Sequence, residues 1–133
     1  MSRALVACAL GTVVVDLDEE VALEVGDEPV TPEVVDLDLP LVVGADRVGA
    51  RVVAVVDRRP PLVVSDDAGT TWSEAGGGLP PGVAVAISRD HPDDVVFATA
   101  ERLYVSRDGA RFWRALPLEL PAITAVVFEP VRP

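Results

Sequence analysis

Short apolar runs separated by turn residues dominate the chain. Valine is the main apolar residue and forms runs at positions 13–15, 52–56 and 63–64, while no segment has a sustained helical period. Runs of four to eight β-branched residues bounded by Gly, Pro, Asp or Ser are typical of strands. The pattern therefore predicts an all-β protein with minimal helix.

The apolar runs predict twelve strands. Three precede the breaker cluster at 26–29, eight form two sets of four, and one follows at the carboxyl end. Residues 40–50 are predicted to be a connection. The predicted strands are 4–9, 12–16, 20–25, 33–39, 51–56, 62–66, 71–75, 83–88, 95–100, 102–106, 112–117 and 122–128.

An eight-residue pattern at 65–72 occurs again 41 residues later, at 106–113, with the same Ser-to-Asp and Ser-to-Trp spacing. The same shift aligns Leu79 with Leu120 and Pro80 with Pro121, so the repeat extends beyond the motif. A repeat of about 40 to 50 residues made of short strands is the signature of propeller blades. Residues 1–133 are therefore predicted to form one domain with three blades of four antiparallel strands.

Three blades are too few to close a ring, because propellers typically have about four to eight. The simplest closed solution is a homodimer with two-fold symmetry and six blades. In this prediction, residues 122–128 of one chain pair with the blade formed by residues 4–25 of the other, which also covers exposed strand edges. The 14.0 kDa chain is then not expected to be stable alone.

The repeated motif resembles the Asp-box, or bacterial neuraminidase repeat, with the pattern S-x-D-x-G-x-x-W. The first copy matches in full, the second has its glycine one position early, and residues 15–20 resemble a degenerate third copy without the Gly and Trp. The resemblance implies a β-propeller in which the motif holds a turn between the third and fourth strands of a blade. The residues given this structural role are Ser65, Asp67, Gly69, Trp72, Ser106, Asp108, Gly109 and Trp113.

Asp-box propellers include sialidases, other glycoside hydrolases, sortilin-type receptors and photosystem II assembly factors, which share a scaffold but no mechanism. Sialidases use an arginine triad with a Tyr and Glu pair, whereas the only tyrosine here is Tyr104, within a predicted strand. We therefore expect a non-catalytic binding or scaffolding module. The alternative is a sialidase-like glycoside hydrolase acting on a glycan, with Asp36 and Asp38 on one face of an innermost strand.

Arg58 and Arg59 are the leading candidates for ligand binding. They lie in the predicted turn between the second and third strands of a blade, which in a propeller opens on the face that usually binds ligands. Glu101 and Arg102 occupy the corresponding turn of the next blade. These residues favour an anionic small molecule or an acidic peptide, and a protein or glycan partner is also consistent with them.

Charge and composition limit the remaining classes. A net charge of −11 opposes binding to nucleic acid or to an anionic membrane. Cys8 is the only cysteine, and His91 lies in a polar turn without a second His or Cys nearby, so we expect no disulfide, metal or cofactor. The apolar amino-terminal stretch is too short for a signal peptide, which favours the cytoplasm, with secretion as the alternative.

Overall fold

The computed structural model describes residues 2–129, which form strands joined by turns. The strands are β1 (Arg3–Cys8), β2 (Gly11–Asp16), β3 (Val21–Gly26), β4 (Val42–Val48), β5 (Arg51–Val56), β6 (Leu62–Ser65), β7 (Ser73–Ala75), β8 (Ala84–Ile87), β9 (Val95–Ala98), β10 (Leu103–Ser106), β11 (Arg114–Ala115) and β12 (Ala125–Phe128). The all-β prediction is confirmed. None of the described residues belongs to a helix long and apolar enough to cross a membrane.

The strands form three separate antiparallel sheets of four strands each. The first sheet has the order β12-β1-β2-β3, the second β4-β5-β6-β7 and the third β8-β9-β10-β11. Eleven of the twelve strands lie where the apolar runs predict them, with ends that differ by at most three residues. The sheets are thus set by local pattern and by short turns between neighbouring strands.

The predicted strand at 33–39 is wrong, as is the predicted connection at 40–50. The first strand of the second sheet is β4, an edge strand that pairs with β5. Residues 33–39 belong instead to a linker, residues 27–41, that joins β3 to β4. Within the linker, Leu37 and Leu39 are half-buried against the second sheet, while Asp36 and Asp38 are exposed. The predicted alternation of buried and exposed side chains is therefore present, but this segment pairs with no neighbouring strand.

The carboxyl-terminal strand completes the first sheet, as predicted, but within its own chain. Val126 of β12 lies opposite Val6 of β1, and Val127 lies opposite Leu5. The predicted exchange of this strand between two chains is therefore wrong. The nine-residue connection from β11 is long enough to bring β12 to β1, and the amide of Thr124 donates to the carbonyl of Ala7 at 2.9 Å.

The third sheet lies between the other two. Strand β8 contacts β4 and β5 on one side and β12 on the other. Valine, leucine and alanine side chains fill both interfaces, and Phe97 is the largest fully buried one. The core between the first and third sheets includes Val6, Val13, Val15, Val96, Leu103, Leu116 and Val126, and the core between the second and third includes Val53, Val55, Leu62, Ile87, Val95 and Phe97.

Arginines join neighbouring sheets at their rims. Arg51 of the second sheet binds Asp66 at 2.9 Å and reaches Asp93, beside the third sheet, at 2.7 Å. Arg107, which follows β10, binds Asp94 at 3.0 Å and Asp18, beside the first sheet, at 2.9 Å. In a chain of net charge −11, these contacts place positive charge where carboxylates from two sheets converge.

The variant Gly82→Ala should destabilise the interface between the second and third sheets. A Cβ at this position would lie 2.2 Å from the ring of Phe97, which is fully buried and cannot swing away. Overpacking of this kind costs about 1–3 kcal/mol, measurable as a lower urea midpoint. Gly77→Ala is the matched control, because no atom lies within 4 Å of its Cβ. Equal midpoints for the two variants would contradict the expectation.

Candidate functional site

The side chains of Ser65 and Asp67 hold the turn that follows β6. The buried Ser65 hydroxyl donates to Asp67 Oδ1 at 2.7 Å and accepts from the amide of Gly69 at 2.8 Å. Asp67 also accepts from the hydroxyl and the amide of Thr71, at 2.5 and 2.8 Å. These bonds, the Thr71 hydroxyl first, lower the pKa of Asp67 to about 2. Both side chains are thus engaged within the turn itself.

The turn after β10 repeats this arrangement. The Ser106 hydroxyl donates to Asp108 Oδ1 at 2.8 Å and accepts from the amide of Ala110 at 2.9 Å. Asp108 accepts from the amide of Phe112 at 3.0 Å, and this bond is the main reason that its pKa is lowered. The two Ser-Asp turns therefore share one hydrogen-bond pattern, whose atoms face the local backbone.

The displaced glycine of the second turn has a backbone explanation. In the first turn Ala68 and Gly69 have φ angles of 59° and 93°, and in the second Gly109 and Ala110 have 74° and 75°. The fourth and fifth positions of both turns are thus left-handed, a conformation that glycine adopts without a steric penalty. Either position can carry the glycine, so its shift leaves the turn intact.

The two tryptophans lie on corresponding faces with different surroundings. Trp113 packs between the second and third sheets, with its ring centroid 6.0 Å from that of Phe97, and its indole donates to the carbonyl of Ala110 at 3.1 Å. Trp72 lies on the face of the second sheet turned away from the third, beside Ala54, Val56 and Val63. We call these four residues the Trp72 face.

The turn after β2 uses a carboxylate where the other two use serine. Asp16 is buried, and its Oδ1 accepts from the amides of Asp18 at 2.9 Å and Glu19 at 3.0 Å. The Glu19 amide is the main cause of a lowered Asp16 pKa. Asp16 thus holds its own turn, whereas Asp18, which the sequence aligns with Asp67, binds Arg107 and the amide of Ser2 instead.

Arg58 and Arg59 are exposed in the turn between β5 and β6. Arg59 and Pro60 form one wall of an open cleft of about 520 Å³, and residues 77–81 form the rest. Among residues 2–129, neither guanidinium has an ion-pair partner, whereas six other arginines pair with carboxylates, namely Arg3, Arg51, Arg89, Arg102, Arg107 and Arg114. This cleft therefore presents uncommitted positive charge on an acidic protein.

The corresponding turn of the third sheet is closed. Arg102 binds Glu119 at 2.6 Å, and the carbonyl of Glu101 accepts from the amide of Leu120 at 2.9 Å. The 41-residue shift places Gly78 at the position of Glu119. The same shift places Pro61 at the position of Arg102, so the second sheet contains neither side chain of this ion pair. The residues that line the Arg59 cleft include no carboxylate.

Asp36 and Asp38 do not lie on an innermost strand. Both are exposed on the linker, so the expected carboxylate pair on such a strand is not formed. The one carboxylate on β4, β8 or β12 is Asp46, which sequence reasoning missed. It is buried and accepts from the amide of Ile87 at 2.7 Å and from the guanidinium of Arg89 at 2.9 Å. The sequence signal for this buried carboxylate was an acidic residue within the apolar segment at 42–48.

His91 lies in a second open cleft, of about 530 Å³, formed by residues 90–94 and Arg107. The neighbouring Asp93 and Asp94 bind Arg51 and Arg107. Within the described part of the chain, no three His, Cys, Asp or Glu side chains come together as a metal site would require. The polar atoms of this turn therefore serve to join sheets.

Comparison of the chain with protein-family models, with curated proteins and with solved structures finds no match.

The variant Asp67→Asn should reduce the acid sensitivity of folding. The folded-state pKa of about 2 lies below the ordinary value of 3.8, so the ionised Asp67 stabilises the folded chain above that ordinary value. This contribution is lost as the pH falls from about 4 towards 2. Urea midpoints measured across this range should fall more steeply for the wild type than for Asp67→Asn. Asp38→Asn removes an exposed carboxylate instead and should keep the wild-type slope, and equal slopes for all three proteins would contradict the assignment.

Proposed function

We propose that the chain is a non-catalytic binding or scaffolding module of the Asp-box propeller type. The observation that carries the proposal is the Arg59 cleft, where an unpaired guanidinium lies beside Gly78 while the equivalent turn has the pair Arg102 and Glu119. A ligand carboxylate would give Arg59 the anionic partner that Glu119 gives Arg102 in the third sheet.

The packing of the sheets supports the propeller part of the proposal. Strand β8 packs on β4 and β5, and β12 packs in the same way on β8 and β9, so two of the three innermost strands meet the first two strands of a neighbouring sheet. Radial repetition of four-stranded sheets is the design of propeller blades. Three such sheets leave two end faces, and a homodimer with six blades would cover both.

The chemistry of the cleft favours a carboxylate ligand. A guanidinium binds a planar carboxylate through two parallel hydrogen bonds, and the glycines at 77 and 78 leave the backbone accessible. Arg58, also exposed, lies next in the chain and adds a second positive charge. An acidic peptide or a small anion fits these features. A net charge of −11 repels anions at long range, so the affinity must come from direct contact with the guanidinium. Salt weakens this contact but also screens the long-range repulsion, so its net effect on the affinity should be small.

The hydrolase alternative is less well supported. Glycosidases need two carboxyl groups roughly 5–10 Å apart at the reacting bond. The strands β4, β8 and β12 carry a single carboxylate, that of Asp46. It is already bound by Arg89 and by the amide of Ile87. A fluorogenic sialoside or β-glycoside should therefore not be turned over, and turnover that disappears in Asp46→Asn would favour the hydrolase instead.

The binding proposal is tested with a labelled glutamate-rich heptapeptide and its glutamine counterpart. Fluorescence anisotropy should show binding of the acidic peptide alone, weakened about tenfold by Arg59→Gln, because one charge-assisted contact is lost. Gly77→Glu should weaken binding similarly by placing a competing carboxylate in the cleft. Gly77 is chosen over Gly78 because its φ is not positive and no atom lies near its Cβ.

Arg102→Gln is the matched control, since it removes an arginine from the equivalent turn of the third sheet, where Glu119 already occupies the site. It should leave the affinity for the acidic peptide unchanged. Equal loss of affinity in Arg59→Gln and Arg102→Gln would indicate non-specific attraction. No binding of either peptide, at concentrations up to about 1 mM, would remove the carboxylate as the ligand class.

A further inference from the structure

The Trp72 face has a counterpart that shows what normally covers it. In the third sheet the equivalent side chains, Phe97, Tyr104 and Trp113, pack against Val53, Val55 and Leu62 of the second sheet. The equivalence follows from register, because Val95 lies opposite Ser106 as Val52 lies opposite Ser65. In the second sheet, the same face meets Leu37 and Leu39 of the linker in place of a sheet.

The linker also reaches the far side of the first sheet. Leu5, Val14 and Val127 share one face of that sheet, because Leu5 lies directly opposite both valines. Leu5 and Val14 are buried, each 9% exposed, but neither belongs to the core shared with the third sheet, which takes the alternate residues of the same strands. Thr12, two residues before Val14, donates its hydroxyl to the carbonyl of Glu28 in the linker. We call Leu5, Val14 and Val127 the Leu5 face.

The linker is longer than the other connections between sheets. It has 15 residues, against 8 between β7 and β8 and 9 between β11 and β12. Fully extended, it spans up to about 50 Å, enough to leave one contact without unfolding either sheet. It contributes no strand to any of the three sheets, so its removal from the Trp72 face breaks side-chain contacts and no ladder of hydrogen bonds.

We propose that the Trp72 face is the docking surface for the Leu5 face of a second copy, and that Leu37 and Leu39 of the linker compete for it. The inference rests on the propeller assembly proposed above and identifies the surfaces that close it. In the single chain the linker covers the Trp72 face. In the dimer the first sheet of the partner covers that face, as the second sheet covers Phe97 and Trp113 within each chain.

The linkage has a direct consequence for affinity. A contact that stabilises only the monomer must be broken before the second copy binds, so it raises the apparent dissociation constant. Weakening the contact should strengthen dimerisation. Because each chain has a net charge of −11, association should also strengthen when salt screens the repulsion between the copies.

The test measures mass by sedimentation velocity across a dilution series of the full chain. Leu37→Ser combined with Leu39→Ser weakens the linker contact and should lower the dimer dissociation constant by roughly tenfold or more. Val127→Glu, on the half-buried edge of the Leu5 face, should abolish the dimer in both backgrounds. Phe112→Ser is the control, because it removes a side chain 79% exposed that lies outside both faces and should leave the dissociation constant unchanged.

A dimer that is tightened by the linker variant and lost in Val127→Glu supports the inference, as does a monomeric wild type whose linker variant dimerises. A dimer unaffected by the linker variant overturns the competition and leaves the assembly of the proposed function intact. A dimer unaffected by Val127→Glu, which would then use another surface such as the exposed edge of β3, also overturns the inference. If every variant is a folded monomer with a wild-type circular dichroism spectrum, both the docking and the assembly of the proposed function are overturned. The ligand proposal is tested separately, by peptide binding to the Arg59 cleft.

Discussion

The pairing of β12 with β1 is the contact on which the arrangement of sheets depends. It joins residues more than one hundred positions apart, so the first sheet is complete only when both ends of the chain have met. The same strand packs on β8, which makes it the link between the first and third sheets. Such a contact is costly in loop-closure entropy and is rewarded only after the intervening strands have formed. We expect the second and third sheets to associate before it.

Beyond that contact, each sheet depends on its neighbours. None of the three can bury both faces alone, and the third is the best covered because a sheet lies on either side of it. The rim arginines Arg51 and Arg107 add electrostatic bridges at the same junctions. Stability in such an array is close to a sum of terms for each sheet and each interface. Of the two end faces, that of the second sheet is covered by the linker and not by a further sheet.

Local pattern was sufficient to predict most strands, because valine runs such as that at 52–56 are bounded by turn residues. It failed at residues 33–39, since alternation reports which side chains face inward and does not reveal whether a strand lies alongside. Whether β12 joins the first sheet of its own chain or of a second copy was also beyond local reasoning, because both pairings use the same residues. For the site, Arg59 was evident from its turn. That no carboxylate lines its cleft, in contrast to the pair Arg102 and Glu119 of the third sheet, depends on the folding of residues 77–81 beside it.

The left-handed pair in the Ser-Asp turns bears on how such repeats diverge. The requirement is placed on two consecutive backbone angles and is met by one glycine at either position, as Gly69 and Gly109 show. A copy can therefore move its glycine by one residue through an intermediate that carries glycine at both, without passing through a strained sequence. A sequence pattern that requires glycine at the fifth position finds only the turn at 65–72, although the turn at 106–113 has the same backbone conformation.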